Sequence, residues 1–135
     1  MMRVLPEREG FTLIELLIVI VIMGVLAMIA VSLFWRAKDR GIEASLQADL
    51  KQAAIQQESY FNANMAYSPD IAGLTDFQPS PGVVLSMAYA GSDGWAATTS
   101  HPAITGTRCG LIVGTAPAGA ADPADDVGIV KCTSE

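Results

Sequence analysis

From Leu16 to Trp35 the chain is apolar and uncharged, broken only by Gly24 and Ser32. Twenty helical residues at about 1.5 Å each span about 30 Å, the hydrocarbon thickness of a bilayer. A helix apolar on every side needs a large protein interior or a membrane around it. The remaining chain is too short to wrap one, so a membrane span is expected. A secretory signal would have a shorter apolar region and a small-residue cleavage site. Leu26-Ala27-Met28-Ile29-Ala30 matches such a site poorly.

After Trp35 the pattern turns amphipathic. Ile42, Leu46, Leu50, Ala53 and Phe61 fall near one helical face, with Gln57 a polar interruption on it. Asp39, Glu43, Lys51 and Glu58 lie elsewhere. Ala, Gln, Leu and Glu favour helix. One helix is therefore predicted from about Phe11 to about Asn64, roughly 80 Å if straight, with Gly41 as its expected bend. Its apolar half covers 11–35 and its amphipathic half 36–64. Turn formers Asn62, Asn64, Ser68-Pro69-Asp70, Gly73 and Pro79-Ser80-Pro81 then mark the helix exit and a loop.

Strands are predicted over Val83–Ala90 and Trp95–Ser100, with Ser92-Asp93-Gly94 as the turn between them. Cys109–Val113 and Val127–Cys132 make two more. Thr115 to Asp126, rich in Ala, Pro, Gly and Asp, reads as an exposed loop. The expected fold class is α+β, a small antiparallel sheet laid on the long helix, with residues 65–135 forming a globular β domain.

Composition narrows the function. The 135 residues allow one domain. A net charge of −6 argues against a general nucleic-acid surface. The single His, with no nucleophile motif and no patterned carboxylate pair, argues against an enzyme. No glycine-rich phosphate loop is present, and no cofactor is implied. Glu15 is the unusual residue, a carboxylate at the edge of the apolar run. Such a group is costly at membrane depth and usually functional. It can also snorkel to the interface. The residues alone leave both readings open.

Gly10-Phe11-Thr12-Leu13-Ile14-Glu15 followed by an apolar helix resembles the class III signal of type IV pilins and pseudopilins, continuously from Gly10 to Ala30. The resemblance implies a leader over 1–10, cut between Gly10 and Phe11 by a prepilin peptidase, and N-methylation of Phe11. It implies that Glu15 meets the Phe11 amine of a neighbouring subunit in a helical homopolymer. An amine and a carboxylate attract strongly in a low-dielectric core, which offsets part of their burial cost. Further implied partners are assembly machinery with cytoplasmic ATPases, the inner membrane around a single-pass precursor, and minor pilins. Nucleic acid is implied only for a DNA-uptake pilus. The implied destination is an extracellular filament serving adhesion, motility or DNA uptake. A type II secretion pseudopilin is the alternative, as is a tethered minor pilin or binding module that never polymerises.

The chain departs from the family pattern at two points. Ser32 stands near where many pilins have Pro, so a proline kink is not expected there. The leader's Arg3 and Arg8 are balanced by Glu7 and Glu9, while Arg36, Lys38 and Arg40 follow the span. The cytoplasmic N-terminus is therefore an implication of the resemblance, not of the charges. Tyr67-Ser68-Pro69 with Gly73-Leu74 is similar to the loop after the helix in many pilins and major pseudopilins.

If the domain is exported, Cys109 and Cys132 face an oxidising compartment and should pair. Closing their 22-residue loop is worth about 3 kcal/mol on the chain-entropy estimate. The resemblance agrees, since many pilins carry a disulfide-bounded C-terminal loop. A metal site with His101 is the competing reading, with only three ligands in a flexible region. Asp122, Asp125 and Asp126 invite comparison with the calcium loop of major pseudopilins. Their spacing does not fit the helix-loop-helix calcium pattern, and short acidic runs are usually solvated. No metal is assigned.

Overall fold

The computed structural model describes residues 10–133. The expected leader lies outside the described residues except for Gly10. The chain separates into two units, one ending at Ala37 and one beginning at Lys38. Helix α1 (Leu13–Asn64) contributes to both.

In the first unit α1 starts at Leu13, not at the expected Phe11, because Thr12 holds the capping position described below. The apolar side chains from Leu13 to Trp35 are all exposed. At Ser32 the hydroxyl donates to the Ile29 carbonyl at 2.9 Å, and the helix continues without interruption. It also continues through Gly24 and Gly41.

In the second unit α1 buries Leu46, Asp49, Leu50, Ala53 and Gln57. These positions recur at helical spacing and form one face. Against that face lies a four-stranded antiparallel sheet in the order β1-β2-β3-β4. The strands are β1 (Val84–Ala90), β2 (Gly94–Ser100), β3 (Arg108–Gly114) and β4 (Lys131–Thr133). Alternate residues point to opposite faces of a sheet. Trp95, Ala97, Cys109 and Leu111 thus join Leu46, Leu50 and Ala53 in the main core. The Thr99 hydroxyl donates to the Leu46 carbonyl at 3.1 Å, tying β2 to the helix.

Gln57 and Asp49, polar side chains inside this core, pair with the loop after the helix, whereas the buried Trp95 Nε1 has no hydrogen-bond partner among the described residues. Gln57 is fully buried, and it is no interruption of the apolar face. Its Nε2 donates to the Ser68 carbonyl at 2.9 Å, and its Oε1 accepts from the Ser68 amide at 2.8 Å. Asp49 is buried too, and its two oxygens accept from the Ser80 amide at 2.7 Å and hydroxyl at 2.8 Å. Tyr67 stacks on Phe61 at 4.8 Å. Replacing Gln57 with Ala would strand both Ser68 backbone groups. A loss of about 2 kcal/mol or more is expected, read as a lower thermal midpoint of the full chain in micelles.

Two expectations for the C-terminal region need correction. Thr115–Asp126 is not simply an exposed loop. Ala116, Ala121 and Ala124 are buried against Ala96 and Ile112, forming a second small core on the sheet face away from α1. The loop backbone comes so close that any side chain at Gly110 would run into the Ala121 carbonyl. The last strand is also shorter than Val127–Cys132. Val127 forms a single parallel bridge to Ile112, and β4 begins only at Lys131. Gly128 at φ 77° turns the chain between them while its amide bonds the Ile112 carbonyl at 2.7 Å.

Candidate functional site: the start of the long helix

The chain emerges from Gly10 and Phe11 in non-helical conformation, and Phe11 is 89% exposed. Thr12 then caps the helix. Its Oγ1 accepts from the Glu15 amide at 3.3 Å, while Glu15 Oε2 accepts from the Thr12 amide at 3.0 Å and from its hydroxyl at 2.8 Å. This is the reciprocal capping box, with Thr at the cap and Glu three residues on. It satisfies backbone donors that the first turn of a helix leaves without internal partners. The negative carboxylate also sits at the positive end of the helix dipole.

The geometry orients Glu15. Two of the three Thr12 contacts hold the carboxylate, and both fall on one oxygen, Oε2, while the third binds the Glu15 amide to Thr12 Oγ1. Thr12 is the residue that the sequence analysis missed. Its signal was present, since Thr-x-x-Glu before an apolar run is the capping-box pattern. Gly10, Phe11 and Glu15 lie together at this terminus, next to a helix that exposes apolar side chains on every side.

The cysteines lie elsewhere, in the second unit. Cys109 on β3 faces Cys132 on β4, and they form a disulfide with Cα atoms 4.0 Å apart. His101 instead accepts from the Ala103 amide through Nδ1 at 3.0 Å, within a turn. The three aspartates do not converge. Asp122 faces Arg108 at 4.0 Å, whereas Asp125 and Asp126 both engage Lys131, Asp126 at 2.8 Å. Among the described residues no three His, Cys, Asp or Glu side chains are placed to hold a metal ion.

The Lys131 clamp predicts a pH response. Its hydrogen bond holds the Asp125 carboxyl below the ordinary 3.8. The bonds from Asp125 and Asp126 raise the Lys131 ammonium above 10.5. The Asp125 contribution is therefore complete above pH 3.8 and lost as pH falls through the lowered folded value. The Lys131 contribution is complete below pH 10.5 and lost as pH rises through the raised one. Asp125 is exposed and Lys131 half-buried at the surface, so solvent screens the pair and the effect on stability is small. In an NMR titration, Lys131→Met should return the Asp125 midpoint toward its ordinary value.

Comparison with known proteins agrees with this geometry. Residues 7–31 match the family model described as the prokaryotic N-terminal methylation motif. The chain is 39% identical over 77 residues to the type IV major pilin protein PilA of Myxococcus xanthus, covering 57% of this chain and 34% of that protein. It is 31% identical over 89 residues to the type II secretion system core protein G of Klebsiella michiganensis, covering 66% and 63%. These matches span between about one third and just under two thirds of the relatives' own lengths. The type IV wide pilus major component PilA4 of Thermus thermophilus is 32% identical over 98 residues, which covers 70% of this chain and 75% of that protein. With the methylation motif, the capped apolar helix and the helix-on-sheet domain together, the chain belongs to the type IV pilin family.

Proposed function

We propose that this chain is the precursor of a filament subunit. A prepilin peptidase cuts after Gly10, the new terminus on Phe11 is N-methylated, and mature subunits stack as a helical homopolymer. Residues 11–35 form the filament core, 36–64 link it to the domain, and 65–135 face outward. Cytoplasmic ATPases of the assembly machinery drive the process, and the precursor waits in the inner membrane. The product is a pilus for adhesion, motility or DNA uptake.

One observation carries this reading. The first half of α1 is apolar, exposed throughout and long enough to cross a membrane, and it opens on an oriented carboxylate. Outside a membrane such a helix must be covered. On leaving the bilayer these residues exchange lipid contact for contact with neighbouring helices, so van der Waals packing and polar contacts, not transfer from water, hold the filament core together. The contacts on Glu15 Oε2 leave its other oxygen turned to solvent or to a neighbour's amine.

The similarity to core protein G supports a second reading, a pseudopilin of a type II secretion filament. The closed disulfide and the dispersal of Asp122, Asp125 and Asp126 onto Arg108 and Lys131 favour the pilus. The test is an intact mass and N-terminal peptide from sheared surface filaments made with the partner assembly system. Mature chains that start at methylated Phe11 and carry oxidised cysteines would support the pilus reading. Chains that still start at Met1, or that occur only in membranes, would overturn it.

A further inference from the structure

The sheet face that carries the second core is only partly covered. Ala116, Ala121 and Ala124 pack there on Ala96 and Ile112. At the other end of the same face, Val84, Ser100 and Arg108 stand in one cross-strand row outside that cover. Val84 and Arg108 are exposed and Ser100 is half-buried. Together with His101, Ile104 and Thr107 from the turn between β2 and β3, the row lines an open cleft of about 350 Å³. Small-ligand sites run from about 300 to 1,000 Å³. The chain carries 14 Asp and Glu against 8 Lys and Arg, yet among the described residues no carboxylate lines this cleft. Its charge is therefore opposite to that of the chain as a whole.

Two side chains of the cleft are set for recognition. The His101 ring lies over Gly82, at φ 81°, so closely that any side chain on Gly82 would run into Nε2. Nδ1 accepts from the Ala103 amide at 3.0 Å, which leaves the ring proton on Nε2 as a donor. The Arg108 guanidinium faces Asp122 at 4.0 Å, with the two side chains 56% and 79% exposed. A pair so exposed is weak. It is also too long for a hydrogen bond, so Asp122 does not occupy the guanidinium's fork of donors.

We infer that this cleft binds a uronic-acid saccharide, with the sugar carboxylate on Arg108 and Asp122 as the competitor it displaces. The Arg fork matches a carboxylate through two parallel hydrogen bonds. The Ser100 and Thr107 hydroxyls can each donate and accept, which suits the hydroxyls of a sugar ring. Val84 and Ile104 supply apolar surface for the ring's C–H groups. A simple anion would use only the guanidinium, and a neutral sugar would leave it unmatched. A uronic-acid unit uses all three kinds of group. The cleft lies wholly within the second unit, so it serves a pilus and a pseudopilin alike.

The test follows amide NMR shifts of the full chain in micelles during titration with digalacturonate, its methyl ester and acetate. Digalacturonate should shift the Ser100, Thr107 and Arg108 amides to saturation. The ester keeps the shape without the charge and should bind about tenfold more weakly or worse. Arg108→Gln should cost about tenfold or more in digalacturonate affinity. Asp122→Asn should raise that affinity about two- to fivefold, because the competing carboxylate is gone. A misfolded domain cannot produce a gain, so this variant separates the site from the fold. The absence of saturable shifts, equal binding of acid and ester, or unchanged binding by Arg108→Gln would each overturn the site. Shifts from acetate as large as those from digalacturonate would reduce it to an anion contact and overturn the saccharide. An Asp122→Asn chain with no gain would overturn the competition.

Discussion

Glu15→Gln should abolish filament growth while leaving the leader cleaved and the helix capped. Gln is accepted at the third position of a capping box, so the bonds to Thr12 survive in part and the start of α1 keeps its shape. Only the charge disappears. If Glu15 pairs with the Phe11 amine of the next subunit, removing one partner leaves a buried, uncompensated ammonium. That costs about 3–5 kcal/mol, or more than about a hundredfold in the constant for adding a subunit. Thr12→Val makes the complementary change, since it keeps the carboxylate and removes the hydroxyl that orients it. Its cost should be near that of one cap, about 1 kcal/mol, giving a several-fold loss of filaments. The yield of sheared filament, normalised to the mature subunit in the membrane, ranks the variants. A normal yield from Glu15→Gln would remove the carboxylate from assembly. Equal losses from both variants would mean that the cap, not the charge, is what matters.

Breaking the Cys109–Cys132 disulfide should produce the largest loss of domain stability. The bridge joins directly opposed residues of β3 and β4 and closes a loop of 22 intervening residues. Within that loop lie Ala116, Ala121 and Ala124 of the second core and the Lys131 clamp. β4 is only three residues long, and few backbone bonds hold it without the disulfide. The chain-entropy estimate of about 3 kcal/mol corresponds to a fall of roughly 10–25 °C in the thermal midpoint of a domain this size. Cys109→Ala with Cys132→Ala is the cleanest variant, because Cys109 is fully buried and Ala adds no unpaired polar group there. The melt of the full chain in micelles, followed by near-ultraviolet circular dichroism, measures the change. An unchanged midpoint would show that β4 and the loop are held by packing alone.

The elements that were legible in the sequence are those set by local rules. Period-2 alternation and turn residues placed β1, β2 and β3 within a residue or two of their observed bounds. The 3.6-residue period picked out Leu46, Leu50 and Ala53 as a core face. The final strand was overestimated because Val127 to Val130 has the composition of a strand. A strand also needs a partner in register, and the turn at Gly128 removes it. The loop over the sheet was misread because alanines carry little apolar area. They count as core only when a backbone approaches as closely as Ala121 approaches Gly110. Asp49 gave no signal at all, and Gln57 was read as a polar interruption of the apolar face. Their partners Ser80 and Ser68 lie 31 and 11 residues away, and no local pattern links them.

The sequence by itself determined the long apolar helix, the carboxylate at Glu15 beside its start and the family membership, because each rests on residues close together in the chain. Helical rise and side-chain period act over a few residues, so their consequences can be read without a fold. Tertiary structure alone decided where the acidic residues point, how the back of the sheet is covered and which buried polar groups are paired. Those outcomes depend on which distant segments meet. The meeting is governed by the cost of leaving buried donors and acceptors without partners, which Asp49 and Gln57 avoid, and by the gain from covering the apolar faces of the sheet.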